Sequence, residues 1–101
     1  MRLIVFFDLP VMTSDERHQY SKFRSYLIRE GFIMVQKSVY SKIAMNATMS
    51  DRIRKDLVEH KPPRGNIQIL SVSERQYQSI EIILGESQKE VVDTLDRFLI
   101  L

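Results

Sequence analysis

"RLIVFFDLP", residues 2–10, is the stretch that decides the fold. Five consecutive apolar residues run from Leu3 to Phe7, so both parities of the stretch are apolar. A strand with one face in water alternates apolar and polar residues, and this pattern therefore predicts a strand over 2–8 that is buried on both faces. The strand ends at a carboxylate, Asp8, directly before a turn marked by proline.

Asp8 has two interpretations. Aspartate is common at strand ends because its side chain bonds nearby backbone N–H groups. A strand end is also a rigid place to mount a metal ligand. The chain has no cysteine and only two histidines, His18 and His60, far apart in sequence, so any metal is expected to be a hard cation held by oxygen. One carboxylate makes a poor metal centre, but a two-fold axis near the first strand would bring two Asp8 side chains to one ion.

The rest of the chain alternates helical and extended patterns. "TSDE" at 13–16 is a capping box that opens a helix ending at Gly31, with Tyr20, Phe23 and Leu27 on its core side. The other predicted elements are an extended segment at 32–43 with a polar break, interpreted as a bulge, at Gln36–Ser38, a helix at 47–60, a strand at 66–72, a short helix opened by the capping box "SERQ" at 73–76, a strand at 80–84 and a terminal strand at 97–101.

These elements predict an α+β fold, a ferredoxin-like βαββαβ domain with an antiparallel sheet over 1–85. An acidic linker and an additional C-terminal strand are predicted over 86–101, the strand adding to a sheet edge of its own or a neighbouring chain. The ferredoxin-like fold packs both helices on one sheet face, yet the first and third strands are apolar on both faces. A second copy is the simplest cover for the bare face, and we therefore expect a homodimer.

The net charge of +2 is unevenly distributed. Residues 1–72 carry 12 Lys and Arg against 7 Asp and Glu, whereas residues 73–101 carry 3 against 6. A basic body with an acidic tail suits a protein that touches nucleic acid with one surface and a protein partner with another. Arg17 and Arg24 share one side of the first helix, as phosphate contacts beside a metal carboxylate would, although a solvated helix face has the same pattern. The hydroxyl of Ser38 suits either a phosphate or a purely structural bond.

Several function classes are disfavoured. A base-stacking RNA-recognition sheet carries aromatic residues on its central strands, and "NIQILSV" at 66–72 has none. Serine-triad, P-loop and dinucleotide motifs are missing from the sequence. No apolar run reaches the length of a membrane span and no secretion signal opens the chain, so we expect a cytoplasmic protein with no membrane partner.

Three stretches together resemble a known family. "FFDLP" at the end of the first strand, "SDERHQYSKFRSYLIREGFIMVQKSVYSK" through the first helix and second strand, and "GNIQILSVSERQY" on the third strand are similar to the smaller of the two universal CRISPR adaptation proteins. The similarity is greatest to the branch that accompanies single-effector, type II systems. It implies a ferredoxin-like homodimer that bridges two dimers of the larger adaptation integrase and holds duplex DNA for spacer acquisition.

The resemblance also implies an activity and its residues. The family is described as metal-dependent endonucleases acting on RNA or duplex DNA, which makes Asp8 the expected metal ligand and catalytic residue, with Mg²⁺ or Mn²⁺ as cofactor. Phosphate contacts carry over approximately onto Arg17, Lys22 and Arg24, and integrase binding onto the tail from 86. Two alternatives stay open: a stand-alone toxin-type endoribonuclease of the related virulence-associated fold, and a scaffold without catalysis in which Asp8 is only a turn or interface residue.

Overall fold

A computed structural model describes residues 1–85 of the chain. Its elements are β1 (Arg2–Asp8), α1 (Ser14–Arg29), β2 (Ile33–Gln36), β3 (Val39–Ile43), α2 (Ala47–His60), β4 (Asn66–Val72) and α3 (Glu74–Gln78). The four strands form one antiparallel sheet in the order β2-β3-β1-β4. The predicted α+β, ferredoxin-like fold is confirmed. Within residues 1–85, no helix is both long and apolar enough to span a bilayer.

β1 lies inside the sheet, between β3 and β4, where its apolar side chains can pack against the core. Its odd-numbered side chains, Leu3, Val5 and Phe7, are buried in the core between the sheet and the two long helices. The helices contribute buried side chains at helical spacing to this core: Phe23, Tyr26 and Leu27 from α1, and Ile53 and Leu57 from α2. Each such apolar side chain stabilises the fold by roughly 1.5–3 kcal/mol relative to its exposed state. The predicted core side of α1 is confirmed.

The opposite face of the sheet is partly covered by α3. The guanidinium of Arg2 lies 4.0 Å from the ring centroid of Tyr77 and pairs with the carboxylate of Glu74. The hydroxyl of Ser41, which is fully buried, donates to the Tyr77 hydroxyl at 3.2 Å. The hydrogen bond from Arg2 holds the pKa of Glu74 below its ordinary value. A helix of the same chain therefore occupies part of the face for which a second copy was expected.

The rest of this face remains apolar and exposed. The strand register places four exposed side chains on it, with exposed fractions of 37% for Phe6, 47% for Ile43, 50% for Leu70 and 53% for Ile33. Burial of both faces was predicted with a second copy as the cover, so the exposure of Phe6 and Leu70 in a single chain leaves that prediction untested. The homodimer stays a prediction, for which this face is the candidate surface.

The segment 32–43 differs from its prediction. The break at Gln36–Ser38 is a chain reversal and not a bulge, since β2 and β3 pair antiparallel on either side of it. Ser38 has φ of +66°, in the left-handed region that glycine usually occupies in turns. A register shift does occur, between Met34 and Gln36 inside the hairpin.

The predicted strand at 80–84 is wrong. These residues have no strand conformation, and Ile83 and Leu84 are 91% and 95% exposed. A strand needs a neighbouring edge for its N–H and C=O groups, and no strand within residues 1–85 pairs with this segment. The acidic linker and the terminal strand at 97–101 lie outside the described residues, so the division into 1–85 and 86–101 stays a prediction.

Candidate functional site

Asp8 is the last residue of β1, and its side chain is exposed. It is in register with Asn66, the first residue of β4. On the other side, the preceding residue, Phe7, donates its backbone N–H to the carbonyl of Ser38 in the β2–β3 turn at 3.0 Å. The carboxylate therefore stands at the end of the central strand with backbone hydrogen bonding on both sides, which is a rigid and accessible position.

Gly65, the residue before β4, packs closely against the backbone of Asp8. Gly65 has φ of +112°, and a Cβ atom on it would lie 2.8 Å from the carbonyl oxygen of Asp8 and 2.7 Å from Cδ2 of Leu9. Side-chain carbons do not approach backbone this closely, so the position requires glycine for its conformation and for space. This close approach restricts movement of the Asp8 backbone.

The loop after β1 is held by two adjacent side chains of α1. A carboxylate oxygen of Glu16 accepts from the N–H groups of Met12 at 3.0 Å and Thr13 at 2.9 Å. Both hydrogen bonds lower the pKa of Glu16, and the one from the Thr13 N–H has the larger effect. The guanidinium of Arg17 donates to the carbonyls of Val11 at 3.2 Å and Met12 at 3.0 Å. The predicted capping box therefore also orders the chain that follows Asp8.

The β2–β3 turn is tied to the same helix. The hydroxyls of Ser38 and Tyr20 are hydrogen-bonded at 3.0 Å. Two residues further along, the Tyr40 hydroxyl accepts from Nε of Arg24 at 3.0 Å. The ring of Phe7 lies 5.8 Å from each tyrosine ring, so the cluster is packed as well as hydrogen-bonded. The sequence identified Tyr20 only as a core residue, and no sequence pattern signalled its bond to Ser38.

Of the four sequence-predicted phosphate contacts, three adjoin the structure around Asp8. Arg17 holds the loop that follows it, Ser38 lies in the adjacent turn, and Arg24 reaches Tyr40 on β3. An arginine has five N–H donors, so each arginine keeps donors for a phosphate after these bonds. Lys22 is separate, because it lines a cavity between the C-terminal parts of α1 and α2.

Asp8 by itself offers a metal one carboxylate side chain. Within residues 1–85 no group of three or more His, Asp or Glu side chains could hold an ion. A hard cation such as Mg²⁺ requires more oxygen ligands than one side chain supplies. Within residues 1–85 the protein ligands at this position are therefore few, and water or a bound phosphate would have to supply the others.

The chain is similar to known proteins along most or all of its length. The family model described as "CRISPR associated protein Cas2" matches residues 1–80. A protein of Treponema denticola named CRISPR-associated endoribonuclease Cas2 is 54% identical over 101 residues, which cover 100% of both chains. Proteins with the same name from Ligilactobacillus salivarius and Lacticaseibacillus rhamnosus are 44% identical over 101 residues, again 100% of both chains, and 40% identical over 97 residues, 96% of both chains.

Proposed function

The chain belongs to the CRISPR-associated Cas2 family, and from that premise we propose that it is a metal-dependent endonuclease whose homodimer bridges integrase dimers and holds duplex DNA during spacer acquisition. The relatives are named endoribonucleases, which supports an endonuclease and makes RNA a candidate substrate. The observation that carries the proposal is the exposed carboxylate of Asp8 at the end of the central strand, with its backbone held from both sides.

In the proposed reaction, Asp8 and Asp8 of a second copy would hold a divalent cation. Mg²⁺ or Mn²⁺ would supply an activated water there and would neutralise charge on the scissile phosphate. Arg17 and Arg24 orient the nucleic-acid backbone through the donors they do not use within the chain. The hydroxyl of Ser38 is a further donor to a neighbouring phosphate oxygen. Each chain contributes a single carboxylate to the proposed site, and this also suits the competing interpretation, a scaffold without catalysis.

Homodimer formation is expected from the exposed apolar part of the sheet face. Phe6, Ile33, Ile43 and Leu70 lie together beside α3 and would be removed from water by a second copy. Sedimentation should therefore give a species near twice 11.9 kDa. Leu70→Glu should shift this species toward monomer, because it places a charge within the proposed interface. A wild-type monomer that persists at high micromolar concentration would remove both the dimer and the shared metal site.

Duplex DNA binding is expected to be mainly electrostatic. Replacing Arg17 and Arg24 with alanine should weaken binding and make the slope of log K against log salt shallower by up to about 2 units, about 0.9 for each phosphate that is no longer neutralised. Arg52→Ala with Lys55→Ala is the matched control, since it removes the same charge from exposed positions of α2. Equal slopes for the two double variants would identify the α1 arginines as ordinary surface charge.

The acidic end of the chain is proposed to contact the integrase. Residues 73–101 carry 3 Lys and Arg against 6 Asp and Glu, opposite in sign to the rest of the chain. Separate signs on separate segments allow one protein to bind nucleic acid and a protein partner at once. The integrase contact belongs to the tail from 86 in this proposal.

A further inference from the structure

The cavity that Lys22 lines, between the C-terminal parts of α1 and α2, has a volume of about 160 Å³. On α1 its lining residues follow spacings of three and four, which place them on one side of the helix: Gln19, Lys22, Tyr26 and Arg29. The opposite wall is formed by the end of α2 and the residue after it: Glu59, His60 and Lys61. Neither Asp8 nor the loop after β1 lines this cavity.

A flat ring pair forms part of the cavity wall. The imidazole of His60 stacks on Tyr26, with ring centroids 4.1 Å apart and an interplanar angle of 13°. Nδ1 of His60 lies 2.8 Å from the carbonyl oxygen of Asp56, which fixes the orientation of the imidazole. Tyr26 is buried, and burial raises the pKa of its hydroxyl, whereas His60 is exposed. The pair therefore presents an oriented aromatic ring at the surface of the cavity.

The charged side chains that line the cavity are mostly cationic. Lys22, Arg29 and Lys61 line it with a single carboxylate, that of Glu59. Within residues 1–85 none of the three cations forms an ion pair. The carboxylates of Asp56 and Glu30 lie near the Tyr26 hydroxyl but do not line the cavity.

The negative ends of helix dipoles explain only part of this arrangement. A helix C-terminus favours nearby cations, which accounts for Arg29 in the last turn of α1 and for Lys61 at the end of α2. It does not account for Lys22, which lies two turns before Arg29 on the same side of α1, nor for the oriented ring between the cations.

We propose that this cavity binds a single nucleic-acid strand, with an unpaired base stacked on His60 and adjacent phosphates held by Lys22, Arg29 and Lys61. Cationic side chains bind the phosphates of the nucleic-acid backbone, and an aromatic ring stacks on the face of any base. Bases within a duplex are stacked on one another, so the ring selects single strands. The Glu59 carboxylate accepts from the exocyclic amino group of cytosine, which thymine lacks. The proposal goes beyond the duplex contact near Asp8 and does not depend on it.

Fluorescence anisotropy with labelled single strands of about 12 nucleotides, oligo(dC) or oligo(dT), tests the cation part. Arg29→Ala with Lys61→Ala should make the salt slope for the single strand shallower by about 1.4 units, about 0.7 per phosphate. Arg52→Ala with Lys55→Ala, which changes the net charge equally, should leave that slope unchanged. Equal slopes for the two double variants would overturn the proposal, because general electrostatic attraction would then explain binding.

His60→Ala tests the stacked base. It should weaken single-strand binding by about fivefold or more, the loss expected for one stacked base, with duplex binding unchanged. His60→Phe should restore binding because it keeps a flat ring, and oligo(dC) should bind more tightly than oligo(dT). The proposal is overturned if His60→Phe does not restore binding, if duplex binding falls equally, or if the two oligonucleotides bind alike. Equal affinity for free AMP would assign the cavity to a mononucleotide and overturn the assignment to a strand.

Discussion

Asp8→Asn is expected to reduce nucleic-acid cleavage by more than about 100-fold, the upper range for loss of a residue that merely orients a metal ligand. The reason is that Asp8 is the metal ligand of the proposed site, and an amide oxygen carries no charge to hold the cation. Cleavage of RNA and of duplex DNA, each with Mg²⁺ and with Mn²⁺, is the measurement. Asp15→Asn is the matched control, since Asp15 is also exposed but lies in the first turn of α1.

The same variant separates catalysis from assembly. A divalent cation should raise the melting temperature of the wild-type dimer, and Asp8→Asn should lose most of that gain. Without metal the variant should be the more stable dimer, because two carboxylates at one site repel each other. Spacer insertion with the integrase should persist, since phosphate contacts and the tail do not require Asp8. Loss of insertion in a folded, dimeric Asp8→Asn protein would contradict a primary scaffold role.

Gly65→Ala is expected to have the largest effect on stability. The added Cβ would meet the Asp8 carbonyl at 2.8 Å and Leu9 Cδ2 at 2.7 Å, while the backbone sits at φ of +112°. Left-handed strain of about 1–2 kcal/mol adds to overpacking of about 1–3 kcal/mol. The free energy of unfolding should fall by roughly 2–5 kcal/mol and the melting temperature by roughly 8–40 °C. Urea unfolding measures the former directly.

Gly31→Ala provides the control that separates strain from collision. Gly31 has φ of +89°, but a Cβ there would find its nearest atom, Cε of Lys42, 4.0 Å away. The free energy of unfolding should therefore fall through backbone strain alone, by about 1–2 kcal/mol. If the two variants lost equal stability, the close approach to Asp8 would be contradicted. Where Gly65→Ala folds, its cleavage rate should also fall, because the Asp8 backbone must move.

Local patterns predicted the parts of the fold that local forces determine. The apolar run of β1 and the capping box at Thr13 are readable because each depends on residues within a few positions. The β2–β3 hairpin was interpreted as a bulge because its left-handed residue is Ser38, and neither glycine nor asparagine marks the turn. Covering of the sheet by α3 depends on a contact between Arg2 and Glu74, 72 positions apart, which no local pattern signals.

The candidate site, like the fold, could be predicted from the sequence only where a local pattern marks it. Asp8 was predicted because a carboxylate at the end of a buried strand stands out, but its supports at Gly65 and Glu16 come from packing and hydrogen bonds. Helix geometry separates Lys22 from Arg17 in the sequence alone, since five residues rotate it about 140° around α1. The family resemblance, and not the helix geometry, grouped Lys22 with Arg17 and Arg24 as phosphate contacts.

The clamp between Arg2 and α3 links the two ends of the domain mechanically. Arg2 opens the strand that ends in Asp8, and its guanidinium contacts Glu74 and Tyr77 just after the chain leaves β4. A pull on the segment beyond α3 would load the central strand through this clamp instead of peeling β4 from its edge. Force from a partner on the tail would thus reach the strand that carries the carboxylate.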